Sequence, residues 1–268
     1  MDKIRVGIKG AGDIASGIAC RLHMANIREI FMMELPRPTA VRRRVAFSEA
    51  AYDGQQVIED VRARLAESPE GIVAAWSEGD IAVVVDPLWE MVGNMRPDVV
   101  IDAMLLKRNI GTRIDEAPLV IGLGPGFCAG LDVHIVVETN RGHDLGRIIL
   151  TGSAEPDTGI PGTVLGRAAE RVLRSPAAGV FNSNRTIGDR VEKGDTVGTV
   201  ASYPVRAQIS GLLRGLIRTG CTVSEGLKVG DVDPRPSGVR MDSISDKARG
   251  ISGSVLEAIM RKYHGPRR

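Results

Sequence analysis

Aromatic residues are scarce in this 268-residue chain, at 3%, and cysteine occurs three times. So few aromatics cannot build base-stacking platforms for nucleic acid. Cys20, Cys128 and Cys221 are far apart and form no CxxC pair, which removes a disulfide framework and a paired-cysteine zinc site; no metal is expected. Reduced thiols in a cytoplasmic protein are the expectation. No run of about 18 apolar residues occurs, and the opening MDKIRVGIKG has no apolar signal-peptide core, so neither membrane span nor leader is expected. An excess of one charge is missing too: 35 basic and 33 acidic residues leave +2, a field too weak to draw nucleic acid or a membrane. GxSxG, HExxH and Walker A motifs are absent, so hydrolase, zinc-protease and kinase readings have no support.

Glycine, by contrast, is abundant, with 32 residues that imply tight turns and close backbone approaches. At 43% hydrophobic the chain can bury a real core. IRVGIKG reads as a buried strand, AGDIASGIACRLHMA as a helix with Ile14, Ile18 and Leu22 on one face, and IREIFMMEL as a second strand ending at Glu34. Parallel strands need such a crossover, so the opening is a β-α-β unit. QQVIEDVRARLAE reads as a helix with Ile58, Val61 and Leu65 on its apolar face; GIVAAWS, IAVVVDP, PDVVIDAML and PLVIGLG read as strands. VHIVVETNRGHDLGRIIL reads as two strands about a polar turn, and PGTVLGRAAERVL as a helix.

From residue 175 the texture turns to short valine-rich strands with glycine turns. GDRVEKGDTVGTV at 188–200 recurs as GCTVSEGLKVGDV at 220–232, and Gly179 matches Gly211 at the same offset. Two such half-repeats should interlock, since neither buries much alone. They resemble the biotinyl/lipoyl barrel sandwich, but the tip between them, ASYPVRA, has no lysine to carry a cofactor. The expected fold class is therefore α/β: a Rossmann-like parallel-sheet domain at 1–174, a small all-β barrel-sandwich module at 175–235, and a helical tail at 236–268 packing on the first domain.

In open α/β sheets ligands collect at the carboxyl ends of strands. Gly10, Ala11, Gly12, Asp13 and Ile14, in GAGDIA, fit G-x-G-x-x-A between a strand and a helix, a frame that brings a phosphate to helix amides. Asp13 counts against this, since its carboxylate would repel a pyrophosphate unless it turns to cap the helix. Glu34 lies where an acidic residue would hold a ribose hydroxyl, and Arg42, Arg43 and Arg44 could clamp a phosphate or stand as solvated surface. Asp102 and Lys107 follow another strand. The loop GLGPGFCAG, with Gly124 and Gly126, could make an anion nest beside Cys128, where a thiol would gain reactivity; a small residue filling a tight turn would look the same. ETNRGHDLG gathers Glu138 and His143, a proton-shuttling pair or a salt-bridged hairpin.

Taken together, GAGDIASGIACRLHMA, RRRVAFSEAAYDG, GLGPGFCAG, VVETNRGHDLGR, GSAEPDTGIPG, GDVDPR and ISDKARGISGSVLEAI resemble the YqeB-like accessory family of the selenium-dependent molybdenum hydroxylase system. The resemblance covers nearly the whole chain. It implies a cytoplasmic protein that serves the maturation of those hydroxylases, with the hydroxylase or its maturation machinery as partner. The first half is also similar, more distantly, to accessory proteins that bind molybdenum cofactor and help insert its terminal sulfur. A nucleotide, or the dinucleotide form of molybdopterin, would then bind at residues 10–15 and the arginines, with Cys128 near its reactive end. NAD(P) is the competing ligand, in an oxidoreductase; a protein-binding scaffold is a third reading.

Overall fold

Uninterrupted apolar runs make the centre of the larger unit. Its strands are β1 (Arg5–Lys9), β2 (Glu29–Glu34), β3 (Gln55–Ile58), β4 (Val61–Leu65), β5 (Ile81–Val85), β6 (Val99–Asp102), β7 (Leu119–Leu123), β8 (Cys128–Ala129), β9 (Ile135–Val137), β10 (Ile148–Ile149) and β11 (Gly152–Ser153). The computed structural model describes residues 3–264. A nine-stranded sheet runs β10-β9-β7-β6-β1-β2-β5-β4-β3, and β8 pairs with β11 as a separate ribbon. The pairs from β4 through β9 are parallel, whereas β3 on β4 and β10 on β9 are antiparallel. Helices α1 (Asp13–Met24) and α5 (Asp246–His264) cover one face, sharing a core with Val6, Ile8, Ile101 and Ile121. On the other face α3 (Pro69–Ser77) and α4 (Glu90–Met95) pack on Phe31, Met33 and Val84. The short α2 (Ala50–Asp53) precedes the β3–β4 hairpin.

The smaller unit holds β12 (Val172–Arg174), β13 (Gly179–Asn182), β14 (Arg190–Val191), β15 (Thr196–Val200), β16 (Tyr203–Arg206), β17 (Gly211–Leu216), β18 (Thr222–Val223) and β19 (Lys228–Asp233). They form two four-stranded sheets, β12-β19-β17-β14 and β16-β15-β13-β18. The repeat is visible in the pairing: β13 bonds its own β15 and the other half's β18, while β17 bonds its own β19 and the other half's β14. Leu213, Val197, Val200, Val229 and Val232 fill the core this exchange encloses. Buried Arg171 reaches Asp231 through hydrogen bonds of 3.0 and 3.2 Å.

The expected fold class, a Rossmann-like parallel-sheet domain with a biotinyl/lipoyl-like barrel-sandwich module, is corrected by this topology. The large sheet is mixed, bounded on both edges by antiparallel strands, and the smaller unit is a pair of antiparallel sheets. The first error is local. Ile58, Val61 and Leu65 stand at helical spacing, but Glu59 and Asp60 take φ of 45° and 67°, which turns the chain into a tight hairpin. GIVAAWS is helix α3, not a strand: Ser68 accepts the Gly71 amide at 3.2 Å and Pro69 starts the first turn. The expected helix across PGTVLGRAAERVL is an isolated bridge between Val164 and Arg167, a single turn at Ala169–Arg171, and β12.

The chain divides so that residues up to 38, 45–157 and from 244 onward make the larger unit, and 39–44 with 158–243 the smaller. Residues 158–174, placed with the first domain on sequence, thus lie with the repeat, and the tail begins at 244 rather than 236. Residues 1–2 and 265–268 of the expected domains lie outside the described residues.

Candidate functional site

β1 stands at the point where the strand order reverses, with β2 on one side and β6 on the other, and ligands of open α/β sheets lie beyond the carboxyl ends at such a point. Gly10 leaves β1 with φ of 91°, its amide on the Met33 carbonyl at 2.8 Å. The Ala11 carbonyl accepts from the Ser48 amide at 2.8 Å and from the Ser16 hydroxyl at 3.1 Å. Gly12 precedes α1 with φ of −71°, and no side chain caps the helix. A Cβ on Gly12 would meet nothing within 4 Å, so the space beside the start of α1 is open. Asp13 lies in that first turn, and Ile14 packs into the core.

Glu34 does not project outward for a ribose. Its Oε2 accepts from the Ala11 amide at 2.9 Å and its Oε1 from the Leu35 amide at 2.8 Å, so it braces the glycine turn. Burial pushes its carboxyl above the ordinary range, against the pull of those two amides.

Asp102, at the end of β6, is also buried. Its oxygens accept from the Met104 amide at 3.2 Å and the Thr112 hydroxyl at 2.7 Å. Burial raises its carboxyl, opposed by the hydroxyl and by Lys9. Lys9 is a residue that sequence reasoning missed. It is fully buried, donating to Thr112 at 2.8 Å and Glu116 at 2.9 Å with the Trp89 ring 4.1 Å away, and burial lowers its ammonium. A lysine at the end of an otherwise apolar strand was the available signal. Lys107, paired with Asp102 on sequence, instead stands exposed and meets Asp157 at 3.4 Å.

The GLGPG loop is glycine-rich for reasons of its own packing. A Cβ on Gly124, at φ of 75°, would collide with Thr139; one on Gly126, at φ of 107°, would lie 2.6 Å from the Arg108 backbone. The half-buried Cys128 has its amide on Asp132 Oδ2 at 2.8 Å, and its contacts run to Asp132, Ala129 and Ser153 rather than to the glycine turn. Glu138 is buried and accepts three amides at 2.7 Å, from Thr139, Asn140 and Glu155, which folds the loop around it. His143 lies exposed at the tip of that loop.

Lys247, on α5, was also missed. Its neighbour Asp246 takes both arms of Arg141, at 2.7 and 3.1 Å, but Lys247 itself has no hydrogen bond or ion pair among the described residues. Burial lowers its ammonium most, with the cations of Lys107 and Arg141 adding to the effect and Glu138 and Asp13 opposing it. Nothing in the spacing of SDKARG marks this lysine, because its place depends on a helix remote in sequence.

Arg42, Arg43 and Arg44 lie in the smaller unit. They donate to the carbonyls of Ser243 at 2.8 Å, Leu216 at 2.7 Å and Ile187 at 2.7 Å, fastening segment 39–44 to that unit. Among the described residues no group of three or more His, Cys, Asp or Glu could hold a metal ion, and no helix is long and apolar enough to cross a membrane.

No family model matches the chain. Over 259 residues it is 46% identical to the uncharacterized protein YqeB of Escherichia coli (strain K12), covering 97% of this chain and 48% of that protein. The chain is similar to one part of YqeB. It spans about half the length of this relative. Among solved structures it matches an aspartoacylase family protein from Mesorhizobium loti at 15% identity, over 86% of this chain and 85% of that one, with a TM-score of 0.29. A succinylglutamate desuccinylase from Silicibacter sp. TM1040 matches at 14%, over 86% and 84%, with a TM-score of 0.25. Likenesses this low carry no argument about activity.

Proposed function

We propose that the chain is a cytoplasmic accessory protein of selenium-dependent molybdenum hydroxylases, and that it binds a nucleotide or the dinucleotide form of molybdopterin at the glycine turn after β1. The resemblance of its motifs and its likeness to YqeB motivate the system. The observation that supports ligand binding is Gly12: an uncapped helix start, with open space where a side chain would stand, at the reversal point of the sheet. Gly12 and the first-turn amides of α1 would hold the diphosphate, while Gly10 and Ala11, whose amides are bonded to Met33 and Glu34, would keep the turn in shape. The ligand would bring the pterin chemistry; the chain's own residues bind and orient.

Thermal denaturation with CDP, CTP, NADH, NADPH and molybdopterin cytosine dinucleotide tests this reading. A ligand at 100 times its dissociation constant adds about 2.7 kcal/mol to the folded state. Selective stabilisation by the cytidine ligands, lost in Gly12→Val, is expected. Selective stabilisation by NADH or NADPH would instead favour an oxidoreductase, and no response to any would overturn nucleotide binding. Cys128→Ser should leave the response intact; full activation of a client hydroxylase by that variant would remove the thiol from sulfur or selenium handling.

A further inference from the structure

Helices α1 and α5 run side by side in the same sense. Gly17, in the second turn of α1, lacks the Cβ that would lie 2.9 Å from the Ala248 side chain, so the first turns of the two helices approach closely. At the far end of α5, the Tyr263 hydroxyl donates to the Asp98 carbonyl at 2.8 Å, just before β6 begins. Helix α5 therefore begins at the carboxyl edge of the sheet, beside the start of α1. Residue 247 comes one position before the contact with Gly17.

The charges around this point are unequally satisfied. Glu138 is spent on three amides, Arg141 on Asp246 and Lys107 on Asp157. Lys247 is half-buried among Lys107, Arg141, Glu138 and Asp13 with no hydrogen bond or ion pair among the described residues. The fully buried Ser48 hydroxyl also has no partner, and the amide of that residue is bonded to the Ala11 carbonyl of the glycine turn. An ammonium withdrawn from water, without its own counter-ion and between two further cations, is costly unless an anion arrives. The uncapped amides of α1 lie at the same edge and add favourable dipoles for the same charge.

We infer that Lys247 binds the phosphate groups of the ligand, with the charges of Lys107 and Arg141 nearby, so that helix α5 completes the site opened by Gly12. The inference deepens the nucleotide reading by naming the group recognised: a diphosphate. It gives the C-terminal helix a role in binding that the glycine motif does not contain.

The test is calorimetric titration of the full chain with inorganic pyrophosphate and, separately, with CDP. Pyrophosphate should bind wild type, bind Lys247→Met at least tenfold more weakly, and bind Lys247→Arg nearly as well as wild type. Equal binding of pyrophosphate to wild type and Lys247→Met, or none to wild type, overturns the inference. Lysine acetylation of the wild-type protein gives an independent readout should the Met variant fail to fold. Pyrophosphate should slow modification of Lys247 and leave the exposed Lys193 unchanged; no protection of Lys247 would again overturn it. CDP bound equally by wild type and Lys247→Met sinks the inference and leaves the nucleotide reading standing. Pyrophosphate bound through Lys247 without any nucleotide response does the reverse.

Discussion

Single residues at the edge of the large sheet are held by partners that sequence could not supply. Glu34 is the clearest. Its position at the end of β2 was legible from the alternation of strand and helix, but its use was not, because the Ala11 amide that it accepts lies 23 residues away. Its raised carboxyl gives a measurable pH dependence. A group whose folded value exceeds its ordinary 4.5 binds protons more readily when folded, so the larger unit should gain stability as pH falls from neutral through that raised value toward 4.5. Glu34→Gln removes this contribution. Urea titrations between pH 7 and 5 should therefore show a wild-type midpoint rising, relative to the Gln variant, as pH falls; parallel behaviour of the two proteins would refute the assignment. The cysteines differ for similar reasons. Burial and the nearby Glu59 carboxylate push the Cys20 thiol to about 12, which leaves it inert, while Cys128 is only half-buried.

At the scale of elements, what was legible depended on whether a segment's signal was local. The first β-α-β unit, the apolar strands β5, β6 and β7, the β9–β10 pair and helix α5 were all readable, since each is an apolar run or a periodic face bounded by turns. The β3–β4 hairpin was misread because Ile58, Val61 and Leu65 satisfy helical spacing while the left-handed turn at Glu59 and Asp60 uses residues without glycine's freedom. Helix α3 was misread because GIVAAWS is short and apolar, and the decisive cap sits outside it at Ser68. The packing of α1 on α5 is a matter of one missing methyl. Gly17→Val would drive side-chain atoms into Ala248 and Ile244, and should cost about 1–3 kcal/mol in urea denaturation. A change within about 0.5 kcal/mol, the range of an ordinary surface substitution, would show that the helices part without penalty.

Across the whole molecule, the half-repeats were recognisable by their glycine frame, but the mixed character of the large sheet was not. Nor could the sequence say that the arginine run belongs with the repeat, since its acceptors are backbone carbonyls of Leu216, Ile187 and Ser243. Replacing Arg43 and Arg44 with Met together should destabilise the smaller unit by about 1.5–3 kcal/mol per lost charged hydrogen bond, read by urea denaturation. A midpoint equal to that of wild type would show that these hydrogen bonds do not fasten the segment. The larger unit is discontinuous, and its last described helix covers Ile18 and Leu22 on its first. During synthesis, then, the apolar flank of α1 stays wet while the ribosome translates the smaller unit in full. The repeat can fold as it emerges, but the larger unit must keep an open seam until α5 leaves the exit tunnel, which makes the nascent chain a natural customer for a holding chaperone.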